Sequence, residues 1–356
     1  MNSTGTSSVN ASGIYGLLTV VLITHDRPKF FKRTLSYWAE ISCLFPILVI
    51  DSSLPETIAE NQRLADSLSD RLRITFKAYD RIPVFEKILD ALTHIRTPYV
   101  VLCADDDFLI PDGARACIEF LESHPGYSAT HGRVLSVRPR EHGMYAFDHR
   151  VKSIEAESPE ARVHAHFSDF TPTLYSVHRT KLFQKNFSYL PDVFEWRFGE
   201  LLLSILDVMQ GKVKRLDEFY LVRQANPRGE AHKNKGWAPL IASPDFGRYQ
   251  AAFERVLADE LNNNAPVERS DAFAIISHGL DRHIDETRNR GKALPFPERV
   301  AQWWDSLWMT SLMEPQTPRE KLSYMMRKSA SGVNPKLKRA YRLIRTRIVE
   351  CPSDDS

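Results

Sequence analysis

Apolar residues along this chain fall into short unbroken runs, separated by stretches in which they recur every three or four positions. Residues 17–23 and 46–50 carry almost no polar side chains, as expected of strands buried on both faces. Each run is followed by helical spacing, from Pro28 to about residue 40 and from Pro55 to about residue 68, with a proline whose fixed φ suits a first helical turn. Residues 73–79 alternate as a third strand, after which Phe85, Ile88, Leu89 and Leu92 mark a helix over 84–95. A fourth run, 99–102, leads into three consecutive acids, Asp105, Asp106 and Asp107. Turn chemistry at Pro111, Asp112 and Gly113 then opens a helix over 114–122. Strands alternating with helices predict an α/β fold, with a mostly parallel sheet whose carboxyl ends share one edge. Thr24, Asp51 and Asp105 then become neighbours where open α/β sheets bind ligands.

Beyond residue 126 the pattern is mixed. Short strands are expected at 129–137 and 173–178, an apolar helix at 194–209 closed by Gly211, and a further strand at 213–222. Residues 224–237 form an aperiodic basic loop with Arg228, His232, Lys233 and Lys235, and Arg223 stands just before it. From residue 246 the spacing is helical or connecting, including 253–261, 270–287 and a tryptophan-rich 300–312. The expected organisation is a disordered leader over 1–16, one α/β domain over 17–240 and a helical region over 241–356.

The three adjacent acids carry the clearest chemistry. On an extended segment Asp105 and Asp107 point the same way while Asp106 faces elsewhere, and two converging carboxylates are half of a magnesium or manganese site. The plain alternative is a solvated acidic turn. Composition narrows the partners: 47 basic and 45 acidic residues leave a net charge of +2, so no global field marks a nucleic-acid binder. Cys43, Cys103, Cys117 and Cys351 lack metal-type spacing and read as reduced, packed thiols. With no charged, apolar leader at the amino end, a cytoplasmic protein is expected.

Taken together, the 18–24 run, Ile50-Asp51-Ser52 and the Asp105-Asp106-Asp107 strand end resemble the GT-A glycosyltransferases, in particular the family 2-like ones, over roughly 17–236. The resemblance implies a Rossmann-like sheet and a nucleotide-sugar donor. It implies donor contacts from Thr24, Asp51, Lys87, Asp105, Asp106 and Arg223, and a divalent cation, Mn2+ or Mg2+, on Asp105, Asp107 and His232. In one respect the chain departs from the family pattern: Ala104 stands where the first acid of D-x-D-D belongs, so the triplet is shifted by one residue. In the family the general base is the second acid of a Glu-Asp pair that opens a glycine-ended helix. Here Gly199 replaces that first acid, and Glu200, eleven residues before Gly211, is the candidate base, with Glu195 as the fallback. Trp196 is expected to pack. His164 and His166 are given no role, and the basic loop would close over the donor phosphates.

The implied activity is metal-dependent transfer of a sugar from a nucleotide-sugar donor to a glycan or lipid-linked hydroxyl, with inversion if Glu200 is the base. A catalytically silent nucleotide- or glycan-binding module is the alternative. A sugar-nucleotide pyrophosphorylase is disfavoured, because the amino-terminal glycine-rich phosphate loop is absent. Trp303, Trp304, Leu307 and Trp308, with the basic stretch 336–347, suggest either a packed appendage or peripheral contact with an anionic membrane, and the helical spacing of the tryptophans favours packing.

Overall fold

The computed structural model describes residues 11–140, 143–148, 151–193, 195–224, 237–289, 342–344 and 346–348. Four parallel strands form one half of the sheet: β1 (Leu18–Thr24), β2 (Ile47–Asp51), β3 (Ile74–Ala78) and β4 (Tyr99–Ala104), in the order β3-β2-β1-β4. The apolar runs become strands because β1, β2 and β4 are covered on both faces, almost every residue in them being buried. A short α1 (Ala11–Ile14) lies inside the stretch expected to be a leader, with Ile14 buried and Tyr15 against Phe45 at 5.0 Å. Between the strands run α2 (Pro28–Glu40), α3 (Pro55–Ser67) and α4 (Val84–His94); α2 and α3 start on a proline that has no N–H to leave unpaired.

After β4 the chain turns through Asp105 and Asp106 and returns as β5 (Asp107–Leu109), followed by α5 (Pro111–Ser123). The other half of the sheet contains β6 (Tyr127–Arg140), β7 (Gly143–Asp148), β8 (Val177–Arg179) and β9 (Lys212–Gln224). β8 pairs antiparallel to both β4 and β6, β6 runs parallel to β9, and β5 is antiparallel to β9. The strand expected at 173–178 shrinks to β8 because Thr173 and Ser176 close a turn, and the Thr173 hydroxyl is drawn to Asp207 at 2.5 Å.

Two hydrophobic layers sandwich the sheet. On one face pack α4, α6 (Pro159–Ser168), α7 (Thr180–Ser188) and α8 (Trp196–Gln210), with α9 (Trp237–Ile241), α10 (Phe246–Asn264) and α11 (Arg269–Asn289) outside them; Phe198, Phe253, Leu257, Ile276 and Leu280 join one cluster. On the other face α2 and α5 pack with Phe31, Trp38, Cys117 and Leu121. Ile344 and Ile348 belong to that second layer, and Arg347 reaches Glu40 on α2 at 2.9 Å, so the described part of the basic tail is docked. Residues 300–312 lie outside the described residues. Among the described residues no helix is long and apolar enough to cross a membrane.

Gly211 ends α8 for a reason other than a left-handed cap. Its φ of −171° is ordinary extended backbone, but a Cβ there would stand 2.6 Å from the Ser128 nitrogen. Close approach of α8 to β6 demands the glycine.

Candidate active site

Strand register assembles the edge that the sequence pattern predicts. Thr24 pairs with Asp51 and Ile23 with Ala104, so the loops after β1, β2 and β4 leave the sheet side by side. Lys87 is the buried peg beneath them. It reaches up from α4 and donates to the Thr24 carbonyl at 2.7 Å and the Ser52 hydroxyl at 2.8 Å. Burial pulls its ammonium down to about 8, against the opposing pull of Asp51 and Asp105. The structure therefore shows Lys87 holding strand ends rather than lying on an open helix face.

Asp51 is fully buried, and its own chain engages both carboxylate oxygens. Oδ1 accepts from the Ser53 N–H at 2.9 Å and the Ser53 hydroxyl at 2.5 Å, and Oδ2 accepts from Asn61 at 2.8 Å. What the structure shows of Asp51 is a loop anchor.

The acidic triplet differs from the extended geometry expected of it. Because β4 stops at Ala104, Asp105 and Asp106 occupy a turn and Asp107 already belongs to β5, so alternation of side chains does not apply. Asp105 accepts from the Thr24 hydroxyl at 2.7 Å and is ion-paired through Oδ1 to Arg27; Asp106 takes the same guanidinium at 2.8 Å. Asp107 faces the other way along the edge, accepting from the Gln224 N–H at 3.2 Å with Arg223 Nε at 3.5 Å. The Thr34 hydroxyl donates to the Asp105 carbonyl at 2.6 Å, and Arg33 donates to the Asp106 carbonyl and to Gln224, which fixes the turn's backbone. Burial lifts both Asp105 and Asp107 to about 7 despite their cationic neighbours. Of the three, Asp106 offers the most side-chain surface, at 13% against 0% for Asp105 and 4% for Asp107.

Glu200 sits in the first turns of α8 within electrostatic reach of Arg223. Burial raises its carboxyl, and Arg223 partly opposes that rise. Arg223 also lies over the Tyr175 ring at 5.0 Å, and so links Glu200 to the Asp107 side of the edge. Glu195 is otherwise employed: its carboxylate caps α8, accepting from the N–H groups of Arg197 at 2.8 Å and Phe198 at 3.1 Å. That removes it as a free fallback base. Trp196 stacks on Phe85 at 4.8 Å, the packing role expected for it. His232 and the cations Arg228, Lys233 and Lys235 lie outside the described residues.

Thus Thr24, Lys87, Asp105, Asp106, Asp107, Arg223 and Glu200 occupy one continuous edge, with Asp51 locked beneath it. Arg27, Arg33, Thr34, Tyr175 and Gln224 join them, although spacing does not single these residues out. For Arg27 a signal was present in its charge: a cation next to Pro28, in the loop leaving β1, must face the acids that leave β4. A cavity of about 650 Å³ at the opposite end of β4, lined by Arg96, Glu122, Arg179 and Lys181 among others, contains none of these groups. Its Arg179 is spent on the carbonyls of Leu121, His124 and Tyr127.

No protein-family model and no curated protein match the sequence. Solved structures do match. Residues 1–349 of S. aureus TarS in complex with UDP-GlcNAc superpose with a TM-score of 0.54 at 17% identity, covering 93% of this chain and 88% of that one. The same TarS fragment without that ligand gives 0.52 at 16% identity over the same shares. A longer TarS structure gives 0.51 at 16% identity, the match spanning 94% of this chain and 54% of TarS. The likeness shows the fold, which is GT-A.

Proposed function

We propose that the protein is a glycosyltransferase that moves a sugar from a nucleotide-sugar donor to an acceptor hydroxyl, on a glycan or a lipid-linked glycan. The observation that carries this reading is the edge itself: three acids at the carboxyl end of β4, linked through Arg223 to the half-buried Glu200 on α8, in a GT-A sheet. That the superposed TarS fragment was solved with UDP-GlcNAc supports a nucleotide sugar as donor.

A divalent cation suits the donor set. Carboxylate oxygens are hard ligands, and three of these side chains stand together in one turn and at the start of the strand that follows it. Among the described residues no three His, Cys, Asp or Glu side chains already form a metal-binding group. Asp105, Asp106 and Asp107 would hold Mn2+ or Mg2+, with His232 as a further ligand, and the cation would neutralise charge developing on the departing nucleoside diphosphate.

The chain's own residues supply the rest. Lys87 and Thr24 keep the first two strand ends in register beneath the donor, and Arg223 contributes positive charge along the Asp107 side. Glu200, raised by burial, takes the proton from the acceptor oxygen, which makes the displacement a single inverting step. Incubation with UDP- and GDP-sugars plus Mn2+, without acceptor, separates the enzyme from a silent binding module. Slow release of nucleoside diphosphate is expected, and binding without any release or transfer to any acceptor would favour the module.

A further inference from the structure

We propose that Arg27 is a built-in counter-ion for the acidic turn, one that a divalent cation must displace from Asp105 and Asp106 before the donor site is complete. This rests on the metal-dependent reading of the site. The guanidinium bridges two of the three carboxylates, through the ion pair to Asp105 Oδ1 and the 2.8 Å contact to Asp106 Oδ2. A single side chain thus occupies the place between the acids where a shared cation would bind them.

Several features fit a displaceable cation rather than a permanent strut. Arg27 is 31% exposed, whereas Asp105 is completely enclosed, so the guanidinium approaches from the solvent side. It follows Asp26, whose φ of 51° puts the β1 loop in the left-handed region, and it precedes α2 without a side-chain cap to anchor it. Structural support comes from a second arginine. Arg33, on α2, is buried and donates to the Asp106 carbonyl and to Gln224, which fixes the backbone of the turn. The Asp105 backbone is separately held by Thr34. With backbone supports in place, withdrawing Arg27 frees the Asp106 carboxylate and leaves Asp105 held through Oδ2 by the Thr24 hydroxyl, with Oδ1 open. Asp105 Oδ1 is engaged by the Arg27 guanidinium alone, so the same withdrawal uncovers it.

Such a counter-ion keeps the acidic turn folded before the metal arrives and makes metal uptake a competition. The freed guanidinium would then face the same edge, where the charge of the donor's phosphates favours it.

Mn2+ titration of the full chain without nucleotide, followed by the electron paramagnetic resonance signal of free Mn2+, tests the proposal. Arg27→Gln removes the competing charge and should tighten Mn2+ binding about tenfold or more, with Arg27→Lys between the two because it keeps the charge but loses the two-carboxylate fork. Circular dichroism checks the fold of each variant, and if Arg27→Gln does not fold, Arg27→Lys carries the comparison. Equal or weaker Mn2+ binding in the folded variants overturns the proposal while leaving the metal site standing. Absence of Mn2+ binding in native protein and variants alike, or binding unaffected by Asp105→Asn and Asp107→Asn, overturns the metal reading and this proposal with it.

Discussion

Replacing Lys87 by methionine asks whether a buried cation organises the strand ends, and the structure sets the size of the answer. The ammonium is 1% exposed, and burial lowers its pKa from 10.5 to about 8. At 1.36 kcal/mol per pH unit, that gap means the charged form carries a penalty of about 3 kcal/mol in the fold. Two hydrogen bonds from a charged donor, to the Thr24 carbonyl and the Ser52 hydroxyl, return roughly 1.5–3 kcal/mol each. The opposing effects are of similar size, so Lys87→Met should alter stability at pH 7 by no more than about 3 kcal/mol. The pH dependence is more diagnostic. Between about pH 8 and 10.5 the unfolded chain keeps the Lys87 proton and the folded chain has lost it. The unfolded state then binds more protons, and stability gains up to about 3 kcal/mol from this group as pH rises through that window. Urea unfolding of native and variant protein at pH 7.5 and pH 10 isolates the effect, because every other lysine and tyrosine cancels in the difference. The native protein should gain on the variant at the higher pH, and donor affinity should fall in the variant at both. A native-minus-variant difference that stays constant with pH would refute the buried, desolvated cation.

Glu200→Gln keeps the shape of the side chain but cannot accept a proton, so transfer should fall by about 10² or more while donor binding in a thermal-shift assay persists. Since burial raises the Glu200 carboxyl, native transfer should climb with pH above the ordinary carboxylate range, and that limb should vanish in the variant. Deleting residues 333–356 strips Ile344 and Ile348 from the second hydrophobic layer and breaks the Arg347–Glu40 pair; a loss of about 3 kcal/mol on urea unfolding is expected. The same tail, being docked, should not sediment the protein with anionic vesicles, and salt-sensitive sedimentation lost on the deletion would contradict a packing role.

Much of the fold was legible because its signals are local. The unbroken runs at 18–24, 47–51 and 99–104 are buried on both faces, and each proline-led helix starts where proline allows. That Thr24, Asp51 and Asp105 share an edge followed from parallel pairing alone, and the pairing of Thr24 with Asp51 bears this out. The site was harder to read wherever the answer depended on a partner far along the chain. Local pattern favours extension of β4 through Asp107, but the edge of β9 captures Asp107 as part of β5 and forces the turn at Asp105 and Asp106. Gly211 has the position of a cap, yet it is required by Ser128, more than eighty residues earlier in the chain. Arg27, Arg33 and Thr34 carry no periodic signature of chemistry, and their importance comes from contacts with acids more than seventy residues away.

The most direct measurement is nucleotide-sugar affinity by titration calorimetry, with and without Mn2+, in native protein and in Asp107→Asn and Asp106→Asn. A nucleotide sugar should bind the native protein at least about tenfold tighter with Mn2+ than without it, and both variants should lose that difference while remaining folded. Affinity indifferent to Mn2+ and unchanged by either substitution would contradict a donor site built on the carboxylates at the end of β4.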